Sequence, residues 1–235
     1  MNDFRTHSRA GRIRPSKAPP VTEDVVATVL DIIVAAWPRV CATGISRMTS
    51  EDAITDKLRW AMVAEKRRRK PPPPVRFERE TQRDDPEGAF ATGLVDIFVT
   101  YSNDETVYLA IECKKVNDRH ETPARKYIEE GVCRFSTEKY SPNHPFGAMV
   151  GYVTDGTPES TAKFLGDKII AFDSSATGLV AKWGWRAETR FGAIPNLHST
   201  QHRQHKTKNT ILLVHLYLAF SGNKASSAGT PAHSG

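Results

Sequence analysis

Two apolar runs separated by a short polar stretch constrain this chain more than anything else in it. Thr92 to Tyr101 reads TGLVDIFVTY, Thr106 to Val116 reads TVYLAIECKKV, and Ser102-Asn103-Asp104-Glu105 lies between them. Alternating β-formers on both sides of turn-forming residues predict a β-hairpin. Side chains alternate along a strand, so Leu109, Ile111 and Cys113 share one face, and Glu112 and Lys114 the other. On the first strand Val95, Ile97 and Val99 oppose Asp96. With Asp104 at the centre of the turn, Asp96 lies opposite Glu112. Two carboxylates and an ammonium then converge on one side of the hairpin; moving the turn centre by half a residue shifts the pairing by one.

The flanking segments supply layers for this hairpin. Glu23 to Arg39 places Val25, Val26, Val29, Leu30, Ile33, Val34 and Trp37 at helical spacing, with Pro38 expected to end the helix. A second helix, over 49–66, opens at Thr49-Ser50-Glu51-Asp52 in the manner of a capping box. It carries Ile54, Leu58, Ala61 and Met62 on one stripe, which Glu51 shares by spacing. Pro71 to Pro74 follow its basic end, Lys66 to Lys70, and cannot continue it. A strand near 75–80, a helix over 123–140, a strand over 146–153, a helix near 157–165 and further strands ending at Ile211 to Phe220 complete the reading. The expectation is an α/β fold with a mixed central sheet and additional C-terminal strands. One domain over 23–220 is expected between a disordered basic arm, 1–22, and a disordered Ser/Gly/Ala-rich tail, 221–235.

Composition narrows the setting. The hydrophobic share of 39% and charged share of 26% suit a soluble globular protein. No apolar run approaches the roughly 18 residues of a membrane helix, and the N-terminus lacks the apolar core of a secretory signal. Cys41, Cys113 and Cys133 are odd in number and widely spaced, forming neither a disulfide framework nor a zinc pattern, which points to a reducing cytoplasm. The net charge of +6 points to a polyanionic partner. Residues 1–20 hold five bases and one acid, and residues 196–235 four bases and no acid, which leaves residues 21–195 at −2. The basic surplus therefore lies at the ends, and the segment carrying the hairpin is slightly acidic.

Paired carboxylates can hold a hard divalent cation such as Mg²⁺. The cation can activate a water and stabilise phosphoryl charge, and a neighbouring lysine can orient that water. An ordinary cross-strand ion pair on a surface hairpin is the simpler alternative. Asp96, followed on the next strand by Glu112-Cys113-Lys114, resembles the PD-(D/E)xK motif of the restriction-endonuclease-like nucleases. The order of elements over about 49–155 also resembles that superfamily's αβββαβ core. The resemblance implies a cytoplasmic metal-dependent nuclease acting on DNA, or on RNA. Asp96, Glu112 and the backbone carbonyl of Cys113 would hold Mg²⁺ or Mn²⁺, and Lys114 would assist the attacking water. Glu51, heading the preceding helix, would support the metal or water. Its alternative role is to complement the positive helix end. Val95 departs from the motif, which has proline before the first acid. The resemblance also implies a bacterial defence setting with a helicase or ATPase partner, and cleavage of both strands would favour a homodimer. The competing reading is a non-catalytic nucleic-acid-binding or assembly module on the same fold.

Other basic residues are candidates for nucleic-acid contact. Arg67, Arg68 and Arg69 end the second helix, where cations also complement the helix dipole. Lys126 and Arg134 share a helical face with Glu130, which a solvated ion-paired surface also explains. His198, His202, Arg203 and Lys206 lie in a polar, loop-like segment before the last strand. His198, His202 and His205 could ligate zinc were that segment helical, and His215 reads as a strand core histidine. Trp60, Trp183 and Trp185 read as packing residues.

Overall fold

The computed structural model describes residues 20–83, 92–101 and 107–220. The arm over 1–19, the turn at 102–105 and the tail over 221–235 lie outside them. Val21 and Thr22 belong to the fold: Val21 is buried, and the Thr22 side chain accepts a hydrogen bond from the Val25 N–H at the start of the first helix. The expected arm is therefore shorter than 1–22.

The chain is α/β, with one open seven-stranded mixed sheet. Helices α1 (Glu23–Ala42) and α2 (Glu51–Arg68) precede strands β1 (Arg76–Arg83), β2 (Thr92–Thr100) and β3 (Tyr108–Asn117). A helical segment follows in three parts: α3 (Glu121–Tyr127), a π-helical turn (Ile128–Val132) and α4 (Cys133–Ser136). Then come β4 (Phe146–Asp155), α5 (Pro158–Ala171), α6 (Ser174–Thr177), β5 (Arg186–Ala187), β6 (Leu197–Arg203) and β7 (Thr210–Ala219). The sheet order is β1-β2-β3-β4-β7-β6-β5. Strands β1 to β3 form an antiparallel meander, β4 lies parallel to both β3 and β7, and β6 and β5 close the far side antiparallel.

Both faces of this sheet are covered, which is why β4 and β7 are nearly continuous apolar runs. On one face α1 and α2 pack Val29, Ile33, Ile54 and Leu58 against Ile97, Leu109, Ile111, Val150 and Val214. On the other, the α3–α4 segment and α5 pack Tyr127, Val132, Phe135 and Leu165 against Ala110, Met149, Val153 and Leu213. The hairpin register is Ile97 opposite Ile111 and Thr100 opposite Tyr108, which places Asp104 at the centre of the connection. Val95 departs from the expected alternation, for it belongs to the second cluster with Phe98, whereas Ile97 and Val99 belong to the first.

Four expectations are corrected. Pro38 lies inside α1, which continues to Ala42. An interior proline costs about 3 kcal/mol, and burying Val40 in the turn beyond it offsets that by about 2 kcal/mol. Trp37 stacks on Tyr152 with ring centroids 5.7 Å apart and donates from Nε1 to the Ala219 carbonyl at 2.6 Å. Ser50 caps α2 through the Ala53 N–H alone, because alanine at the third helical position has no side chain to reach back; the capping box belongs instead to Thr157 and Ser160 at the start of α5. Trp60 is 63% exposed, with the Arg59 guanidinium 4.5 Å above its ring. By length and composition α1 is also apolar enough to cross a membrane, contrary to the reading of the sequence; its buried residues pack in the core.

Candidate active site

The site forms where β2 and β3 part. Their described pairing ends at Ile97 and Ile111. One residue further on, the Asp96 side chain takes over from the ladder, and its Oδ2 accepts from the Cys113 N–H at 2.7 Å. Glu112 and Lys114 point to the α3–α4 side of β3, while Ile111 and Cys113 join the core on the α1–α2 side. Alternation along a central strand thus sets a charged pair against an apolar one.

Lys114 is the hub. Its Nζ donates to Glu112 Oε1 at 2.7 Å, to the Cys113 carbonyl at 3.1 Å and to Glu51 Oε1 at 3.2 Å, and lies 4.0 Å from Asp96 Oδ2. Glu51 reaches the site from the first turn of α2. Its Oε2 accepts from the Lys115 N–H at 2.7 Å, so the carboxylate fastens the helix start to β3. Lys115 points the other way and donates to the Thr49 carbonyl at 3.1 Å. From the opposite layer, Arg134 Nη1 donates to Glu112 Oε1 at 3.0 Å and to the Tyr140 hydroxyl at 2.6 Å.

The π-turn brings Arg134 here. Helical spacing would put Lys126, Glu130 and Arg134 on one face, but the wider π-turn between them rotates the following residues relative to those before. Lys126 and Glu130 are exposed, while Arg134 turns inward. Gly131, within the turn, passes so close to β4 that a Cβ there would sit 2.3 Å from Met149 Cε.

Electrostatics follow from burial. Glu112 is fully buried, and desolvation followed by the neighbouring Asp96 charge pushes its carboxyl up to about 7, against the pull of Lys114 and Arg134. Burial also raises Asp96, opposed by Lys114 and by the Cys113 N–H. Burial works against the Lys114 ammonium, yet Glu112, Glu51 and Asp96 together outweigh it and hold the lysine above its ordinary value. Three carboxylates face two cations, so the ionised cluster carries an excess negative charge.

The donor set fits a hard divalent cation. Glu112 Oε2 is buried with no hydrogen-bond partner among the described residues. Asp96 and the Cys113 carbonyl meet the same ammonium as Glu112. All of these are oxygen donors, and Mg²⁺ takes one or two carboxylates and completes its shell with water or phosphate oxygens. Among the described residues no three His, Cys, Asp or Glu side chains are grouped to hold a metal together. Glu51 is engaged by Lys114 through Oε1 and by the Lys115 N–H through Oε2.

The other candidates lie elsewhere. Arg67, Arg68 and Arg69 end α2, about 25 Å along the helix from Glu51 at about 1.5 Å per residue. Arg69 pairs with Asp31 at 2.7 Å and Arg68 lies 3.9 Å from Glu65. The histidine segment is not helical: as far as Arg203 it is strand β6, and His205 and Lys206 lie in the turn that follows. His202 is fully buried, with Nδ1 on the Thr177 carbonyl at 2.8 Å and Nε2 on Thr200 Oγ1 at 2.6 Å. Both ring nitrogens are engaged, so His202 neither contacts nucleic acid nor ligates zinc here. His198 stacks on Trp185 at 5.0 Å, and Arg203 and Lys206 are exposed. Nothing in the sequence singles out Tyr140. It lies just past the helical segment, where periodicity carries no information.

Comparison with protein-family models, with curated proteins and with solved structures returns no match to this chain.

Proposed function

We propose that this chain is a metal-dependent nuclease that hydrolyses phosphodiester bonds of DNA, most simply as an endonuclease, on a restriction-endonuclease-like core. The observation that carries the reading is the meeting of Asp96, Glu112 and Lys114 where two central strands separate, with Glu51 arriving from the preceding helix. The succession α2, β1, β2, β3, helix, β4, with β3 and β4 parallel, supports the αβββαβ reading.

Asp96 and Glu112, with the Cys113 carbonyl, would hold Mg²⁺ or Mn²⁺, which when bound supplies an activated water and a Lewis acid for the phosphoryl oxygen. Glu112 offers its free Oε2 in a water-poor setting. Lys114, held in its charged form by three carboxylates, acts as a fixed positive charge that orients the water and offsets developing negative charge, not as a proton acceptor. Glu51 positions Lys114 and locks α2 to β3.

The test is nicking of supercoiled plasmid, with an RNA of similar length as a parallel substrate, in Mg²⁺ and in Mn²⁺. Asp96→Asn, Glu112→Gln and Lys114→Ala are each expected to lower the rate by about 100-fold or more, with unchanged circular dichroism. A wild-type protein inert with both ions, or folded variants that all cut at the wild-type rate, would sink the reading. One observation favours a second reading, a non-catalytic nucleic-acid module: Lys114 and Arg134 already neutralise Glu112 Oε1. It requires DNA binding that is indifferent to metal and no cleavage.

A further inference from the structure

We propose that Arg134 is a phosphate-binding residue of this site, anchored through Nη1 and offering its Nε and Nη2 edge to two oxygens of a substrate phosphodiester. The inference rests on the nuclease reading above and names the group that meets the substrate's charge.

The guanidinium carries five N–H donors in a planar fork. The two on Nη1 are taken by Glu112 Oε1 at 3.0 Å and the Tyr140 hydroxyl at 2.6 Å. Nε and Nη2 make no hydrogen bond among the described residues, and neither is among the buried polar atoms that lack a partner. They therefore face solvent, in keeping with a side chain that is 29% exposed. Tyr140 braces the group from one side, with the guanidinium carbon 5.5 Å from its ring centre.

A guanidinium that served only to neutralise Glu112 would take both carboxylate oxygens in a paired, parallel geometry, the strongest arrangement available. Here it takes one oxygen, already bonded by Lys114 at 2.7 Å, and leaves Oε2 open. What remains is a fork fixed at one end and open at the other, and such a fork matches a phosphate better than an ammonium does. Its position follows from the π-turn, which turns Arg134 inward while Lys126 stays on the exposed side of the segment.

The experiment is stopped-flow anisotropy of a fluorescein-labelled DNA duplex in Mg²⁺, read before cleavage over a series of salt concentrations. Arg134→Ala is expected to weaken binding several-fold and to reduce the slope of log affinity against log salt by about one. Arg134→Lys is expected to restore the slope and only part of the affinity, because a point charge replaces the fork. Should the alanine variant not fold, Arg134→Gln removes the charge while keeping a donor for Tyr140, and the same loss is expected. Wild-type affinity and slope in the folded, charge-removed variant would overturn the inference and leave Arg134 as an ion-pair partner only. Wild-type cleavage is recorded in parallel. Intact cleavage with unchanged binding in the variant defeats this inference alone, whereas a wild type that binds but never cuts defeats the nuclease reading and leaves the binding result to decide Arg134.

Discussion

Glu112 concentrates the energetics of the site. A buried carboxylate beside a second one ionises reluctantly, which is why its pKa rises to about 7. Raised above the unfolded value, this group gives a contribution that is fully present below about 4.5 and is lost as pH rises through about 7. Glu112→Gln removes that ionisation. Urea denaturation of the two proteins should show the variant gaining on wild type between pH 5 and pH 8, by up to about 3 kcal/mol from the size of the shift. A difference that is flat with pH would mean that Lys114 and Arg134 already pay in full for the charge. Lys114→Ala should act in the opposite sense, because it leaves buried carboxylates without their counter-ion. A loss of about 3 kcal/mol is expected at pH 8, and a smaller one at pH 5, where Glu112 is protonated.

Elements decide which residues reach the site, and here the sequence was legible only in part. The hairpin was readable because alternation and a short polar turn fix a register, and the observed pairs have Asp104 at their centre. The ordering of helices and strands followed from periodicity in the same way. The π-turn at Ile128–Val132 was not readable, since a 3.6-residue period assumes that no residue is added. Lys126 and Arg134 were therefore set on one face that they do not share. Strand β6 is hard to read from sequence because its buried serine, threonine and histidine look like loop chemistry. In the fold Thr200 Oγ1 joins His202 to His215 at 2.6 and 2.7 Å, and His215 Nδ1 meets the Tyr127 hydroxyl at 2.8 Å. This chain of bonds staples α3 to β7, β6 and α6. Burial lowers His202 to about 4 and lowers His215 as well. The unfolded histidines take up protons first, so stability is full above about 6.5 and falls as pH drops towards 4. His202→Gln should flatten the fall in a series of urea melts between those limits. Deleting Glu129 should convert the π-turn to α-helix and turn Arg134 by about 100° relative to α3. DNA affinity should then drop as in Arg134→Ala, whereas deletion with unchanged binding would show that the turn does not aim the arginine.

At the scale of the whole chain, the nuclease reading separates binding from cutting by charge. The segment holding the carboxylates sums to −2, and each end contributes +4. On the nuclease reading, the acidic site without a bound cation would repel phosphate, so attraction would have to come from elsewhere and from Arg134. Each phosphate neutralised by a lysine or arginine releases counter-ions and adds about 0.9 to the salt slope. Removing residues 1–20, with Arg5, Arg9, Arg12, Arg14 and Lys17, should lower duplex affinity and reduce that slope by up to about 4. All of the site residues lie beyond this segment, on α2, β2, β3 and α4, so Mn²⁺ binding measured by calorimetry should be unchanged. The cleavage rate at saturating DNA should also be unchanged, because the arm raises occupancy without touching the reacting phosphate. A truncated protein that binds as tightly as the full chain, with the same slope, would place the holding charge on the folded surface, where exposed Arg67, Arg203 and Lys206 would be the next to neutralise. A truncated protein with normal affinity for DNA but a lower saturated rate would instead put the arm within reach of the site itself.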